Sequence, residues 1–363
     1  MSNDRFYPEH RHLLALTTIR RSRLLPDAAG GTVEVSRGQR VSLLDVVARG
    51  EAPAPFTLID VARALRLNPD SPALMRAMQV EEGESVDAET VIARRGRRRV
   101  LAGFDGVVVA IGRGGQVVLR AHAPSLDLQA GLNGTVIDVR VGRGVVVEGY
   151  GAVLQGVWGN GRRAIGVVRA EPAQGIESLH GESSAFGADL RGAILLARRT
   201  PRALTLEIAA DQGIAGLVVP SLPPGLRAAA LDAPFALMLV EGFGEIRLNV
   251  AAGQFFEYVE GRQGSLDAVT PAALEARRPE LLVNVPFDPN DRPGAPDLGV
   301  TLRPGMDVRV LRGEGASSIG TITHLPKTPI LMDNGLRVPC AVVTLTTGEQ
   351  ITAPLANIEH VGA

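Results

Sequence analysis

The sequence predicts a mainly β protein of several domains, with one small parallel α/β unit near its middle. Three observations lead there. At 363 residues the chain is too long for one ordinary domain. Its 42 glycines and 24 prolines call for many turns and short strands. Apolar residues alternate at period two over much of the first half and again after residue 300. Between 192 and 262 they instead run in short buried blocks separated by helical stretches.

Composition narrows the chemistry. Aromatic residues make up 4% of the chain against 45% hydrophobic residues, so Val, Leu, Ala and Ile must fill the cores. A net charge of −1 gives no global pull toward nucleic acid or an anionic membrane. Cys340 is the single cysteine, which excludes an intrachain disulfide framework and a cysteine-based metal site. His10, His12, His122, His180, His324 and His360 are scattered. Only the first two are close and no third ligand is near, so no metal and no cofactor are expected. The first twenty-five residues carry charges throughout and lack the apolar core of a signal peptide. No apolar run approaches the ~20 residues of a membrane-spanning helix. A cytoplasmic protein without membrane contact is the expectation.

Residues 1–30 read as an N-terminal arm containing "IRRSR" (19–23), with Arg20, Arg21 and Arg23. From 31 to 168 one grammar repeats: apolar alternation, a glycine turn, then a valine strand. It is seen in "GTVEVSRGQRVSLLDVVARG" (31–50), "VEEGESVDAETVIARRG" (80–96) and "GTVIDVRVGRGVVVEGYGAVLQG" (134–156). "VLAGFDGVVVAIGRGGQVVLR" (100–120) adds a hairpin turning at "GRGG". The stretch "VEEGESVDAETVIARRGRRRVLAGFDGVVVAI" resembles the barrel-sandwich hybrid fold of biotinyl and lipoyl domains, and the resemblance extends over roughly 31–168. In that family the exposed hairpin presents a lysine for acylation. The matching hairpin here is "RRGRRRV", with Arg94, Arg95, Arg97, Arg98 and Arg99. A guanidinium with a pKa above ~12 and delocalised lone pairs cannot attack an activated acyl group. "ALMRAMQV" (73–80) likewise has Arg76 where a carrier lysine would stand, and Lys327 is the only lysine. No covalent biotin or lipoate is expected. The arginine cluster either grips phosphate or an acidic partner, or forms a solvated tip neutralised by Glu81, Glu82, Glu84 and Glu89. The second reading is the expectation.

Residues 169–262 form the α/β unit. "GAILLARR" reads as a buried strand, and "TPRALTLEIAADQG" as a helix with Thr200 at its N-cap, Pro201 in its first turn and Gly213 at its stop. "IAGLVVPS" is a second strand, "PPGLRAAALDA" a short helix, "PFALMLVEG" a third strand, and "VAAGQFFEYVEG" (250–261) a further helix. Strands linked this way lie parallel, and ligands of such sheets bind beyond the carboxyl ends of the strands. Those ends supply Arg198, Arg199, Thr200 and Ser221, with Glu241 and Glu245 as weak acid/base candidates and Arg199 as a possible anion holder. "HGESSAFG" (180–187) is not a nucleophile elbow, because its second glycine falls late.

Residues 263–300 read as a Pro-rich connection. Residues 301–363 contain "GMDVRVLRGEGASSIGTI" (305–322) and "AVVTLTTGEQITAPLANIEHV", which are similar to the KOW motif of small SH3-like barrels, with Val308, Val310, Gly313 and Gly320 at the matching positions. The resemblance implies contacts with RNA, polymerase or other proteins, and brings Arg309 and Arg312 forward as partner-binding residues. Five positive and five negative charges balance in this segment, and it has no aromatic residue for base stacking. The leading expectation is therefore a non-catalytic scaffold or adaptor that binds a protein partner or its own copies. An RNA- or translation-associated factor and an enzyme sited at the sheet edge are the alternatives.

Overall fold

The computed structural model describes residues 9–26, 30–51, 54–122, 125–179, 190–270, 277–288, 290, 292–296, 301–315 and 318–361. The "HGESSAFG" segment lies outside them. The chain is mainly β, with several sheets and no closed barrel among the described residues.

The parallel unit forms much as the sequence dictates. Strands Ile194–Leu196, Gly216–Leu222 and Ala236–Phe243 run parallel, and Arg163–Ala170 adds a fourth parallel neighbour. Period-two alternation sends successive residues to opposite faces. Leu195, Leu217, Leu237 and Leu239 pack on one side with Leu206, Ile208 and Ala209 of helix Ala203–Asp211 and Ala230 of helix Arg227–Asp232. Ile194, Leu196, Val218, Met238 and Val240 pack on the other with Phe255, Phe256 and Val259 of helix Val250–Val259. The expected first helix starts later than Thr200. The Thr200 hydroxyl is engaged with Ser221 Oγ at 2.8 Å, and the helix opens at Arg202, whose N–H donates to Thr205 Oγ1 at 2.9 Å. Gly213, at φ +65°, ends it as expected.

The sheet does not stop at the parallel strands. Gln263–Asp267 joins beside Arg163–Ala170, Glu280–Val283 follows, and the 12-residue strand Gly144–Gln155 comes next. The first part of the expected Pro-rich connection is thus two sheet strands; every residue of Glu280–Val283 is buried, and a buried apolar block needs ladder partners. The proline-rich stretch after Val283 lies along strand Leu13–Leu24, where Thr18 N–H donates to Gly294 O at 3.2 Å. Leu13–Leu24 pairs antiparallel with Gly144–Gln155 over ten residues, so the 12 residues Leu13–Leu24 of the expected N-terminal arm are a sheet strand. Its arginines are held from neighbouring strands: Arg21 by Glu280, Arg20 by Glu148, and buried Arg23 by Ala130 O at 2.8 Å and Asp267 at 3.5 Å.

Residues 31–168 do not share one core: a host core and a lobe core are separate, and Ala152, Leu154, Trp158, Ala164 and Val168 pack into the cores of the parallel unit. Strand Val46–Glu51 lies in a separate three-stranded sheet between Gly31–Val33 and Ser125–Gln129, with Glu51 and Ser125 as Cα partners. Between them the chain builds a lobe. Strands Phe56–Asp60, Gln116–Ala121, Gly106–Ile111 and Ser85–Val86 make its four-stranded sheet. Helices Val61–Leu65 and Pro72–Ala77 cover that sheet, and the hairpin Val91–Arg95/Arg98–Leu101 packs beside them. The host core gathers Ile19, Leu25, Val47, Val136, Val145 and Val147.

The terminal segment is a six-stranded sheet in the order Glu9–Arg11, Ile358–Val361, Asp307–Val310, Ile319–His324, Cys340–Leu345, Gln350–Pro354. It surrounds its own core of Val308, Val310, Ile322, Val343 and Ile351. The parallel pairing of Glu9–Arg11 with Ile358–Val361 ties the two ends of the described chain together. None of the helices among the described residues is long and apolar enough to cross a membrane.

Candidate functional site

The carboxyl ends of the parallel strands open into a cleft of about 810 Å³. Its wall after the first strand carries Arg198, Arg199 and Arg202. The turn after the third strand contributes Glu245 and Arg247, and helix Val250–Val259 contributes its first turn and Glu257. Four arginines therefore face two glutamates. Arg198 is drawn to Glu257 at 2.8 Å, and Arg199 donates to Ala173 O at 3.0 Å. Arg202 and Arg247 are exposed and make no ion pair among the described residues.

The turn is fixed from beneath. Ser221, fully buried at a register shift in its strand, donates to Ile246 O and accepts from Ile246 N, both at 3.0 Å. That double bond pins the loop carrying Glu245 and Arg247 to the sheet end. Asn249 is the N-cap of the following helix, with Oδ1 accepting from Ala252 N at 2.8 Å. Its Nδ2 donates to Glu241 Oε1 at 2.6 Å. The positive end of the helix is thereby aimed into the cleft.

Two carboxylates near the rim respond differently. Burial pushes the Glu171 carboxyl up, partly offset by the hydrogen bond it accepts from Arg198 N. The Thr205 hydroxyl, donating to Glu177 at 2.5 Å, holds Glu177 below the usual carboxylate range.

Sequence-predicted residues fall on both sides of this boundary. Arg198, Arg199, Thr200 and Glu245 line the cleft. Glu241 does not: its carboxylate points inward, bonded to Asn249 and ion-paired with Arg309. Glu241 and Glu245 are thus not a facing acid/base pair. Arg309, expected at a partner surface, is 2% exposed and spans Glu241 and Glu359 inside the molecule, whereas Arg312 is exposed. Arg94, Arg95, Arg97, Arg98 and Arg99 are exposed on the lobe hairpin, remote in sequence from the cleft. Of the four expected neutralisers, Glu82 accepts from Ile111 N at 2.7 Å and Glu84 from Glu81 N at 2.9 Å, and none of Glu81, Glu82, Glu84 and Glu89 makes an ion pair with the cluster among the described residues. Arg202, Arg247, Asn249 and Glu257 were not singled out from sequence. For Asn249 the signal was present, an Asn directly before an apolar helical run; for Arg247 there was none.

Cys340 is buried, its thiol pushed up by desolvation and donating to Val338 O at 3.3 Å, as suits an unreactive core residue. No group of three His, Cys, Asp or Glu able to hold a metal occurs among the described residues. No protein-family model matches the chain, and no curated protein matches it significantly.

Proposed function

We propose that this protein binds a small anionic molecule, one bearing phosphate or carboxylate groups, in the cleft at the carboxyl end of its parallel sheet. The observation that carries the reading is the convergence there of Arg198, Arg199, Arg202 and Arg247 with a helix N-terminus. Guanidinium forks and helix-end N–H groups both favour planar or tetrahedral oxyanions. A volume of about 810 Å³ fits a metabolite-sized ligand, the range for such sites being roughly 300–1,000 Å³.

The role is binding without a chemical step. Glu241 is committed to Asn249 and Arg309, so the Glu241–Glu245 pair that an acid/base reading would use does not form in the cleft, and Glu257, the other carboxylate there, is drawn to Arg198. The adaptor reading of the sequence is kept in this form, with ligand recognition as its input. The barrel-sandwich resemblance over 31–168 and the KOW resemblance over 301–363 supply candidate output modules. Buried Arg309 supports that picture, because it anchors the terminal sheet directly behind the ligand cleft.

The test is thermal shift and calorimetry with orthophosphate, pyrophosphate, nucleoside mono- and diphosphates and dicarboxylates. At least one should raise the melting temperature, and Arg202→Gln with Arg247→Gln should remove the rise while leaving the unliganded melt in place. If no anion of the panel shifts the melt, or if the double variant responds like the parent, the proposal fails.

A further inference from the structure

A second charged surface lies away from the cleft, on the lobe. In hairpin Val91–Arg95/Arg98–Leu101 the register sets Arg94 opposite Arg99 and Arg95 opposite Arg98. Like charges directly across a strand pair destabilise it. Arg95 donates to Leu65 O at 3.4 Å and to Arg66 O at 3.1 Å, which brings the hairpin against the end of helix Val61–Leu65 and adds exposed Arg63 and Arg66 to the same surface. Arg66 is the one non-glycine residue with positive φ among the described residues, +53°, at a helix end where glycine is the unstrained choice. None of these seven arginines makes an ion pair among the described residues. The lobe therefore displays a run of guanidinium groups that face one another across the hairpin and have no ion-pair partner among the described residues.

We infer that this surface binds the phosphodiester backbone of a nucleic acid. A linear polyanion relieves the repulsion between Arg94 and Arg99 and between Arg95 and Arg98 by placing a phosphate near each pair, and it needs nothing but charge to do so. An acidic protein fits less well. Protein interfaces draw their energy from aromatic and large apolar anchors at their centre. Within 63–66 and 91–101 the exposed residues are the arginines, Ala64, Gly96 and Leu101, so Leu101 is the one large apolar side chain exposed on these two segments, and the lobe's other exposed apolar residues, Phe56, Leu58, Met75 and Val109, belong to other elements. Recognition by phosphate contacts alone carries no base sequence preference.

The experiment uses the full chain with labelled single-stranded RNA, single-stranded DNA and duplex DNA of about 20 nucleotides, titrated by fluorescence anisotropy between about 50 and 200 mM salt. If about four phosphates are neutralised, affinity should fall about 100-fold across that range. Arg94→Gln, Arg97→Gln, Arg98→Gln and Arg99→Gln combined should abolish most binding and its salt dependence. The variant removes repulsion only, so it should melt no lower than the parent and keep its response to anions at the cleft. Comparing the three probes shows whether RNA or DNA is preferred. Photo-cross-links should fall within 63–66 and 91–101. The inference is overturned by no binding at low salt, by unchanged binding in the variant, by cross-links confined to other segments, or by binding of polyglutamate but of no nucleic acid.

Discussion

Arg309 and Glu241 form an ion pair with both side chains almost wholly removed from water, 2% and 1% exposed, although they belong to different units of the chain. Arg309 comes from the terminal sheet and Glu241 from the last parallel strand. Glu359 lies on the far side of the guanidinium at 3.9 Å, and Arg278 approaches Glu359 at 3.5 Å. The same Glu241 holds Asn249, the N-cap at the cleft. One buried cation thus joins the terminal sheet to the N-cap beside the cleft.

Removing that cation should be severe. Arg309→Met removes the Arg309 cation from buried Glu241 and leaves Glu359 its contact with Arg278, and breaking a buried pair from one side costs about 3–5 kcal/mol. Urea unfolding should show the loss; a change below about 1 kcal/mol would mean that water reaches the pair.

Asn249→Ala removes a cap and a bond to Glu241 together. A lost cap alone costs about 1 kcal/mol. The variant should also bind its anion more weakly, because the helix end is no longer held against the cleft. Calorimetry beside a melt separates the two effects; Asn249→Asp keeps the cap bond to Ala252 but sets a second carboxylate against Glu241, so it should not recover the parent's stability.

Gly253 lines the cleft inside helix Val250–Val259, and a Cβ there would meet nothing within 4 Å. Gly253→Ala should stabilise the protein by about 0.5–1 kcal/mol through helix propensity. It should not strengthen ligand binding, since the added methyl only narrows the opening. A lower melting temperature would show that the helix is packed more tightly on that side.

The pH dependence at the rim has two opposed parts. The Glu171 carboxyl is raised by burial, so above the usual glutamate value the folded state holds its proton longer than the unfolded chain does. Stability contributed there falls as pH rises through that window. Glu171→Gln keeps an acceptor for Arg198 N and should be the more stable protein at neutral pH, the difference closing in acid. Glu177 is lowered by the Thr205 hydroxyl, so its contribution is present above the usual value and lost as pH falls through the folded one. Glu177→Gln should therefore lose stability at neutral pH and converge with the parent in acid. Melting curves across the acid range read both signs.

The parallel unit was legible because its signals are local. Blocks such as "LVVPS" and "ALMLV" are apolar on both faces, and Gly213 stops its helix within a few residues of where the pattern ends. Strand Leu13–Leu24 was not legible, because "TTIRRSR" looks like a solvated arm until Glu148, Asp267 and Glu280 are brought beside it from more than a hundred residues away. Arg309 was misplaced for the same reason: an arginine reads as surface unless its partner is known, and Glu241 is 68 positions distant. The cleft itself was half visible. The strand ends pointed to Arg198 and Arg199, but Arg247 enters through a turn whose path depends on Ser221.

The pairing of Glu51 with Ser125 gives the lobe a single doorway: the chain departs and re-enters at neighbouring positions of one ladder. A cassette attached in this manner can be lost, exchanged or acquired by joining two adjacent strand ends with a tight turn, without rethreading the host. The arginine-bearing hairpin travels inside that cassette, whereas the cleft at the parallel strand ends stays with the host. The hairpin and the cleft can therefore change independently over evolutionary time.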